Sequence, residues 1–338
     1  MIDPLARALD DARRRFVPDD RLGVFEVGVE TAAGGVRAVR GLTTSTPARD
    51  AVRRLAAEAG LAADVLLLPD PVLGDHVGAI ATAAVAPLHA EPRIATSRAS
   101  EVLHGESLAV LERRDAWLRV RARDGYHGWI HEGYVAVGTN EWASDWEGRA
   151  AARSLGCELR CDDTRMRLPL GARLVERRDG RLETANGRRG QLVSGAVRPD
   201  VEARAEARLV APTEWALRWL GGAPYAWGGR TEWGCDCSGL VQAVFAARGT
   251  PLPRDADQQL AAGREVRLDA TGRGYEAGDL LFFAEQGRVG HVAIWAGAGR
   301  IVHSALSRGG VARDDLLGEA ALSLRLRDGL VGVRRPEP

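Results

Sequence analysis

No apolar run in this chain approaches the roughly 18 residues that a membrane-spanning helix needs; the most apolar stretch, Val77–Leu88, is too short. The N-terminal MIDPLARALDDARRRF has no apolar core and no small-residue cleavage site, so it reads as a short charged amphipathic helix and not a secretory leader. The expectation that follows is a cytoplasmic protein, with the cell envelope as the alternative. Charge of one sign is also missing: 46 basic and 46 acidic residues leave a formal net charge of zero. That excludes the basic stripe with which a protein neutralises a nucleic-acid backbone. Phenylalanine and tyrosine are scarce, at five and four residues, against nine tryptophans and 40 glycines. Tryptophans fill cores, and they also line clefts for peptides or sugars.

Four cysteines are present, and their spacing leaves several chemistries open. Cys157 and Cys161 form C-x3-C, and Cys235 and Cys237 form C-x-C. A four-cysteine zinc site is one reading. Disulfides do not suit a reducing compartment. Cys157 and Cys161 read as small buried hydrophobes in a strand region. Cys237 differs from the rest. It follows Asp236, precedes Ser238-Gly239, and opens an apolar segment with helical character. A thiol at a helix N-terminus feels the partial positive charge of unpaired N–H groups, which favours the thiolate. Cys235 lies in the loop before it and reads as a bystander.

A chain of 338 residues is expected to divide into about two to four domains. Residues 1–85 read as a small α/β unit, with strands at Leu22–Glu30, Val36–Arg40 and Asp64–Leu68 and a helix over Pro47–Gly60. No recognisable site falls in that unit, which reads as scaffold or cleft wall. Residues 86–139 read as a small antiparallel barrel of short strands. An imperfect copy follows over 150–208: residues 104–120 match 170–184, both containing ERRD, and Gly128-Trp129-Ile130 is echoed by Gly190-Gln191-Leu192. Arg181 stands where the first copy has Trp117, so the first copy is the one expected to touch a ligand. NEWASDWEG, at 140–148, reads as a polar connector.

From Pro212 the pattern turns to helix and then to strands, the order of an α+β domain over 212–335. Asp279–Ala284, His291–Trp295 and Arg300–Ala305 read as antiparallel strands, and Leu322–Arg334 as a final strand pair. His291 and His303 are equidistant in sequence from Gly297, near the centre of the connecting turn, and are expected to face each other. The chemistry expected is thiol hydrolysis, with Cys237 as nucleophile, His291 as general base and His303 orienting it. The Cys237 N–H and the Tyr225 hydroxyl are expected to stabilise the oxyanion.

The strings YAWGG from Tyr225, DCSGLV from Asp236, GDLLFF from Gly278, GHVAIW from Gly290, and His303 resemble those of the NlpC/P60 family of cell-wall peptidases. The upstream tandem units resemble bacterial SH3-like domains. The resemblance implies an α+β, papain-like catalytic domain preceded by two SH3-like β-barrels and a small N-terminal α/β unit. It also implies γ-D-glutamyl-L-diamino acid endopeptidase activity on murein peptides with a free N-terminal L-Ala, without a cofactor. The diamino acid implied is meso-diaminopimelate or lysine. Carried onto this chain, it makes Cys237 the nucleophile, His291 the base and His303 the third polar residue, with Tyr225 beside the thiol. Asp236, Ser238 and Asp255 are the implied receivers of the substrate ammonium, with Trp117 and Glu91 of the first barrel and Trp227 of the 225–234 loop as further contacts. Other readings are an amidase or acyltransferase of the same fold, a non-enzymatic protein that binds cell-wall fragments, and a zinc site using Cys235, Cys237, His291 and His303.

Overall fold

A computed structural model describes residues 3–31, 35 and 37–337. Met1, Ile2 and Val36, which the sequence reading includes in the first helix and second strand, lie outside the described residues. The first unit opens on helix Pro4–Phe16, where Asp3 caps by accepting the Leu5 N–H and Pro4 occupies the first turn. Strand Arg37–Thr43 then pairs antiparallel with Phe25–Thr31 and parallel with Ala62–Leu67, and helix Thr46–Glu58 makes the crossover. Leu9, Val39, Val52, Ala56 and Val65 form the shared core of this α/β layer.

Seven antiparallel strands make the next sheet, in the spatial order Val135–Gly138, Gly78–Ala81, Ser107–Arg114, Trp117–Arg121, His127–His131, Val85–His89, Arg98–Leu103. The sheet begins at Gly78, inside the stretch assigned from sequence to the first unit. Strand Gly78–Ala81 is buried on both faces. Ala79 and Ala81 face the sheet's own core, while Ile80 meets Ala143 and Trp146 on the other side. Those two residues belong to helix Asn140–Arg149, capped by the Thr139 hydroxyl, where a polar connector was expected. A helical i, i+3 apolar pair was the signal, and the surrounding acids and arginine obscured it.

In the third sheet the strand pairing returns on itself. Strand Ala152–Cys161 bonds to Thr164–Leu168, Arg173–Glu176 and Arg189–Pro199, and Leu182–Glu183 links the last two. Cys157 and Cys161 are buried free thiols in its core, beside Leu159, Leu168 and Leu174. Both ERRD strings fall at hairpins, the first turning at Asp115 (φ 51°) and the second at Gly180 (φ 76°). His104 ties the two sheets. Its Nδ1–H donates to the Thr82 carbonyl at 2.9 Å and its Nε2 accepts the Ala185 N–H at 2.9 Å.

The last unit sets helices Pro212–Leu220, Cys237–Ala247 and Ala256–Leu260 against a six-stranded antiparallel sheet. Its order is Arg264–Val266, Leu330–Arg335, Leu280–Glu285, Arg288–Gly297, Arg300–Ala305, Gly310–Asp315. Leu240, Val241 and Val244 of the central helix press on Leu280, Phe282, Val292 and Ile294 of the sheet. Each such side chain contributes about 1.5–3 kcal/mol on burial. The strand pair expected at Leu322–Arg334 is instead helix Ala321–Gly329 followed by strand Leu330–Arg335. Leu322 and Leu326, one helical turn apart, cover the sheet face formed by Leu281 and Phe283.

Candidate active site

Asp236 ends an extended stretch and caps helix Cys237–Ala247, so Cys237 is the first helical residue. The Asp236 carboxylate accepts the Gly239 N–H at 2.7 Å and the Gly228 N–H at 2.8 Å. Arg254 donates to both of its oxygens, at 3.1 and 2.8 Å, and to Ser238 Oγ at 2.9 Å. A β-carbon on Gly239 would stand 2.0 Å from the Gly229 carbonyl oxygen; this close seat is why glycine occupies the helix's first turn. Arg254 is buried. Burial disfavours its charge, but Asp236 outweighs that and raises its pKa. Asp236 and Ser238, expected to receive a substrate ammonium, line the cleft beside the thiol, and their hydrogen bonds also build the turn that presents it.

Beside Cys237 lies a cleft of about 350 Å³, lined by Trp227, Tyr126, Asp255, Arg21 and the backbone around Gly290. The Cys237 thiol points at the Gly290 carbonyl, 3.9 Å away. The sulfur thus lies against strand Arg288–Gly297 at the residue just before His291. Among the described residues the Cys237 N–H has no protein acceptor, so it is available to an oxyanion.

A hydrogen-bonded relay runs back from His291. Its Nε2 meets His303 Nδ1 at 2.8 Å, and His303 Nε2 meets Asp314 Oδ2 at 2.8 Å. Arg308 closes the line with Nε to Asp314 Oδ2 at 3.0 Å and Nη2 to Oδ1. The two histidines are not cross-strand partners as expected. Ile294 pairs with Val302, and a bulge between Trp295 and Gly297 offsets the strands. The rings meet along a diagonal, which long side chains can span.

Burial raises the Asp314 pKa, but the bonds from Arg308 and His303 outweigh it and hold the carboxyl below its ordinary value. Burial lowers His303 against the pull of Asp314. Burial, with His303 and Arg325 acting the same way, pushes His291 down to about 3. Burial, followed by the charge of Asp236, pushes the Cys237 thiol up to about 11. The helix start does not outweigh these effects. Burial thus favours the neutral thiol and the neutral imidazole over the thiolate–imidazolium pair. A proton passed directly from sulfur to His291 keeps the site uncharged overall, so the base can still activate the nucleophile as it attacks.

Tyr225 is half-buried, and its phenol is pushed up to about 12 by burial and then by Cys237 and Asp236, which places it beside the thiol. Trp227 is exposed over the cleft. Asp255 caps helix Ala256–Leu260 and accepts Arg21 Nη1 at 2.9 Å; Tyr126 lines the same cleft. Burial raises the Asp255 pKa against the pull of Arg254 and Arg21. Glu91 and Trp117 are not among the residues lining this cleft. Glu91 is an exposed residue paired with Arg93 at 2.9 Å, and Trp117 sits edge-on between His89 and His131. Tyr126, in the 122–127 turn of the same sheet, takes the place expected for them.

Sequence reasoning missed Arg21, Tyr126, Arg254, Arg308 and Asp314. Arg21 comes from the first unit, which was expected to carry no site. Among the described residues, no group of three His, Cys, Asp or Glu side chains is arranged to hold a metal ion.

Residues 222–323 match the NlpC/P60 family, and residues 88–133 match the bacterial dipeptidyl-peptidase Sh3 domain. The chain thus carries an NlpC/P60-like region over residues 222–323, with an SH3-like segment ahead of it. It is 45% identical over 86 residues to the γ-D-glutamyl-L-lysine dipeptidyl-peptidase of Bacillus subtilis, a match covering 25% of this chain and 28% of that relative. It is 28% identical over 254 residues to dipeptidyl-peptidase 6 of Lysinibacillus sphaericus, covering 68% of this chain and 88% of the relative. Among solved structures, an NlpC/P60 family protein from Bacillus cereus superposes with a TM-score of 0.61 at 18% identity, over 77% of this chain and all of that one. That likeness concerns the fold.

Proposed function

We propose that the protein is a peptidoglycan-hydrolysing cysteine endopeptidase. More narrowly, it cleaves the bond between γ-D-Glu and an L-diamino acid, diaminopimelate or lysine, in murein peptides with a free N-terminal L-Ala. The observation that carries this reading is the Cys237 thiol lying against the strand of His291 at one side of a cleft whose far end is acidic. The His291 imidazole takes the thiol proton as sulfur attacks the γ-carbonyl carbon. The oxyanion is met by the Cys237 N–H and the Tyr225 hydroxyl. The imidazolium then protonates the departing amine, the C–N bond breaks, and a thioester remains. Water, deprotonated by His291, hydrolyses it and restores the thiol.

The amine end of the substrate fits the Asp255 side of the cleft. There Asp19, Asp255 and Asp257 converge on Arg21, three carboxylates against one guanidinium. Such a surplus of negative charge suits an ammonium. The name of the Bacillus subtilis relative, a γ-D-glutamyl-L-lysine dipeptidyl-peptidase, supports the same bond class.

The test is product analysis by mass spectrometry on L-Ala-γ-D-Glu-diaminopimelate, its lysine counterpart and both N-acetylated forms. Wild type should release L-Ala-γ-D-Glu from the free-amine peptides. Cys237→Ala should abolish release while circular dichroism stays unchanged. Substantial activity in that variant sinks the nucleophile assignment. Equal rates on acetylated peptides remove the free-amine requirement.

A further inference from the structure

We propose that Asp314 is a positioning residue for the base: its carboxylate sets the proton arrangement of the two histidines and, through Arg308, steadies the backbone beside Tyr225. The inference deepens the thiol-hydrolase reading above and rests on it.

An ionised carboxylate can only accept hydrogen bonds. Its contact with His303 Nε2 at 2.8 Å therefore requires the proton of a neutral His303 to sit on that nitrogen, leaving the Nδ1 lone pair free. The contact of His303 Nδ1 with His291 Nε2 at 2.8 Å then requires His291 to carry its proton on Nε2. The one remaining lone pair is on His291 Nδ1, and it is the pair that can accept the thiol proton. One negative charge at the far end thus selects, through two rings, the tautomer competent as a base. If position 314 were neutral and able to donate, both rings could reverse, and His291 would present an N–H where a lone pair is needed.

The local structure explains why the carboxylate holds its place. His303 pairs with Ala312 across the ladder between Arg300–Ala305 and Gly310–Asp315, and Asp314 lies two residues further along the same face. Arg308 donates two hydrogen bonds to it from the turn that joins the two strands. The next residue in that turn, Gly309, accepts the Tyr225 N–H at 2.9 Å, and Gly310 bridges to Pro224. A β-carbon on Gly310 would stand 2.0 Å from the Ala223 carbonyl oxygen. The turn and the Tyr225 loop are thus in direct backbone contact. The Asp314–Arg308 pair holds the turn from one side while Asp314 holds His303 from the other. No atom of Asp314 need touch the substrate.

The test compares Asp314→Asn, Asp314→Ala and Arg308→Met with wild type by three readouts: thermal melting, kcat and KM on the free-amine tripeptide, and the rate of Cys237 alkylation by iodoacetamide at pH 7, followed by peptide mass. Asp314→Asn keeps the size of the side chain and removes its charge. It should lower kcat by about 10–100-fold with KM within about twofold. That loss is smaller than the ~10⁴-fold found when the acid directly behind a catalytic imidazole is neutralised, because a second ring intervenes here. Alkylation should slow in parallel, and Arg308→Met, which leaves the carboxylate in place, should lose less than about fivefold. Should Asp314→Ala melt below the assay temperature, the isosteric Asn variant decides. Wild-type alkylation rates in a folded Asp314→Asn protein overturn the proposal whatever the peptide assay gives. Equal slowing in Asp314→Asn and Arg308→Met also overturns it, since the effect would then belong to the turn alone. If wild type cleaves no murein peptide and Asp314→Asn still slows alkylation, the substrate assignment fails and the role of Asp314 stands.

Discussion

At the scale of single residues, the site is held by buried charges more than by apolar contacts. Asp236 and Arg254 are both buried and bonded oxygen to nitrogen, with Gly228, Gly239 and Ser238 completing the set. A buried pair of this kind adds little net stability compared with apolar side chains, but losing one member strands the other. Arg254→Met should therefore destabilise the fold by about 3–5 kcal/mol, read from urea denaturation. Ser238→Ala removes a hydroxyl that Arg254 and Asp236 can partly do without, and should cost about 1 kcal/mol. If Arg254→Met melts like wild type, the pair does not organise the helix start.

The helix that carries the thiol shows how an element's position depends on one small residue. Helix Cys237–Ala247 lies so close to the 228–229 loop that Gly239 has no room for a methyl group. Gly239→Ala should push the first turn away from that loop. The expected outcome is a loss of about 1–3 kcal/mol in stability and a fall in thiol alkylation that exceeds what the lost stability explains. Unchanged alkylation would mean that the thiol's placement tolerates the shift. At this same scale the sequence misled at three elements, and not all for the same reason. Gly310–Asp315 reads GVARDD, too polar to declare a strand, because its inward position is filled by Asp314, an acid satisfied by His303 and Arg308. Leu322–Arg334 reads as alternating because leucines spaced at 322, 324 and 326 mimic a strand, while the packing of Leu322 and Leu326 on Leu281 and Phe283 selects a helix. Helix Asn140–Arg149 hid in the same way, its buried Ala143 and Trp146 outnumbered by charge.

At the scale of the whole molecule, three separate units meet at the acidic end of the cleft. Arg21 comes from the N-terminal unit, Tyr126 from the seven-stranded sheet, and Asp255 from the catalytic unit. The sheets are joined by His104, buried with both ring nitrogens engaged as a neutral imidazole, and burial lowers its pKa to about 4. His291 is lowered to about 3, and His89, His127 and His303 are lowered as well. Each is depressed below its unfolded value of about 6.5, so on acidification the unfolded chain takes up protons first. Stability is fully present above about pH 6.5 and is lost as pH falls toward 4 and then 3, by up to about 1.4 kcal/mol per pH unit for each histidine. Urea midpoints at pH 7.5, 6 and 5 should fall steadily, and His104→Gln, which can keep one donor and one acceptor, should flatten the decline. A flat profile in wild type would contradict the buried neutral histidines.

What the sequence alone determined was local and periodic. The acid–cysteine–serine–glycine start of an apolar helix, the alternation of strands around His291 and His303, the duplicated hairpins and the burial of Cys157 and Cys161 all follow from spacing and side-chain chemistry within short windows. Tertiary structure alone decided what depends on long-range approach. It turned Asp236 and Ser238 inward to Arg254, and set Asp314 behind His303 through a strand pairing that its own residues do not announce. It also brought Arg21 to Asp255, 234 residues away in the chain. The physical reason is that a buried charge is stable only beside its partner, and no local pattern records where that partner will be.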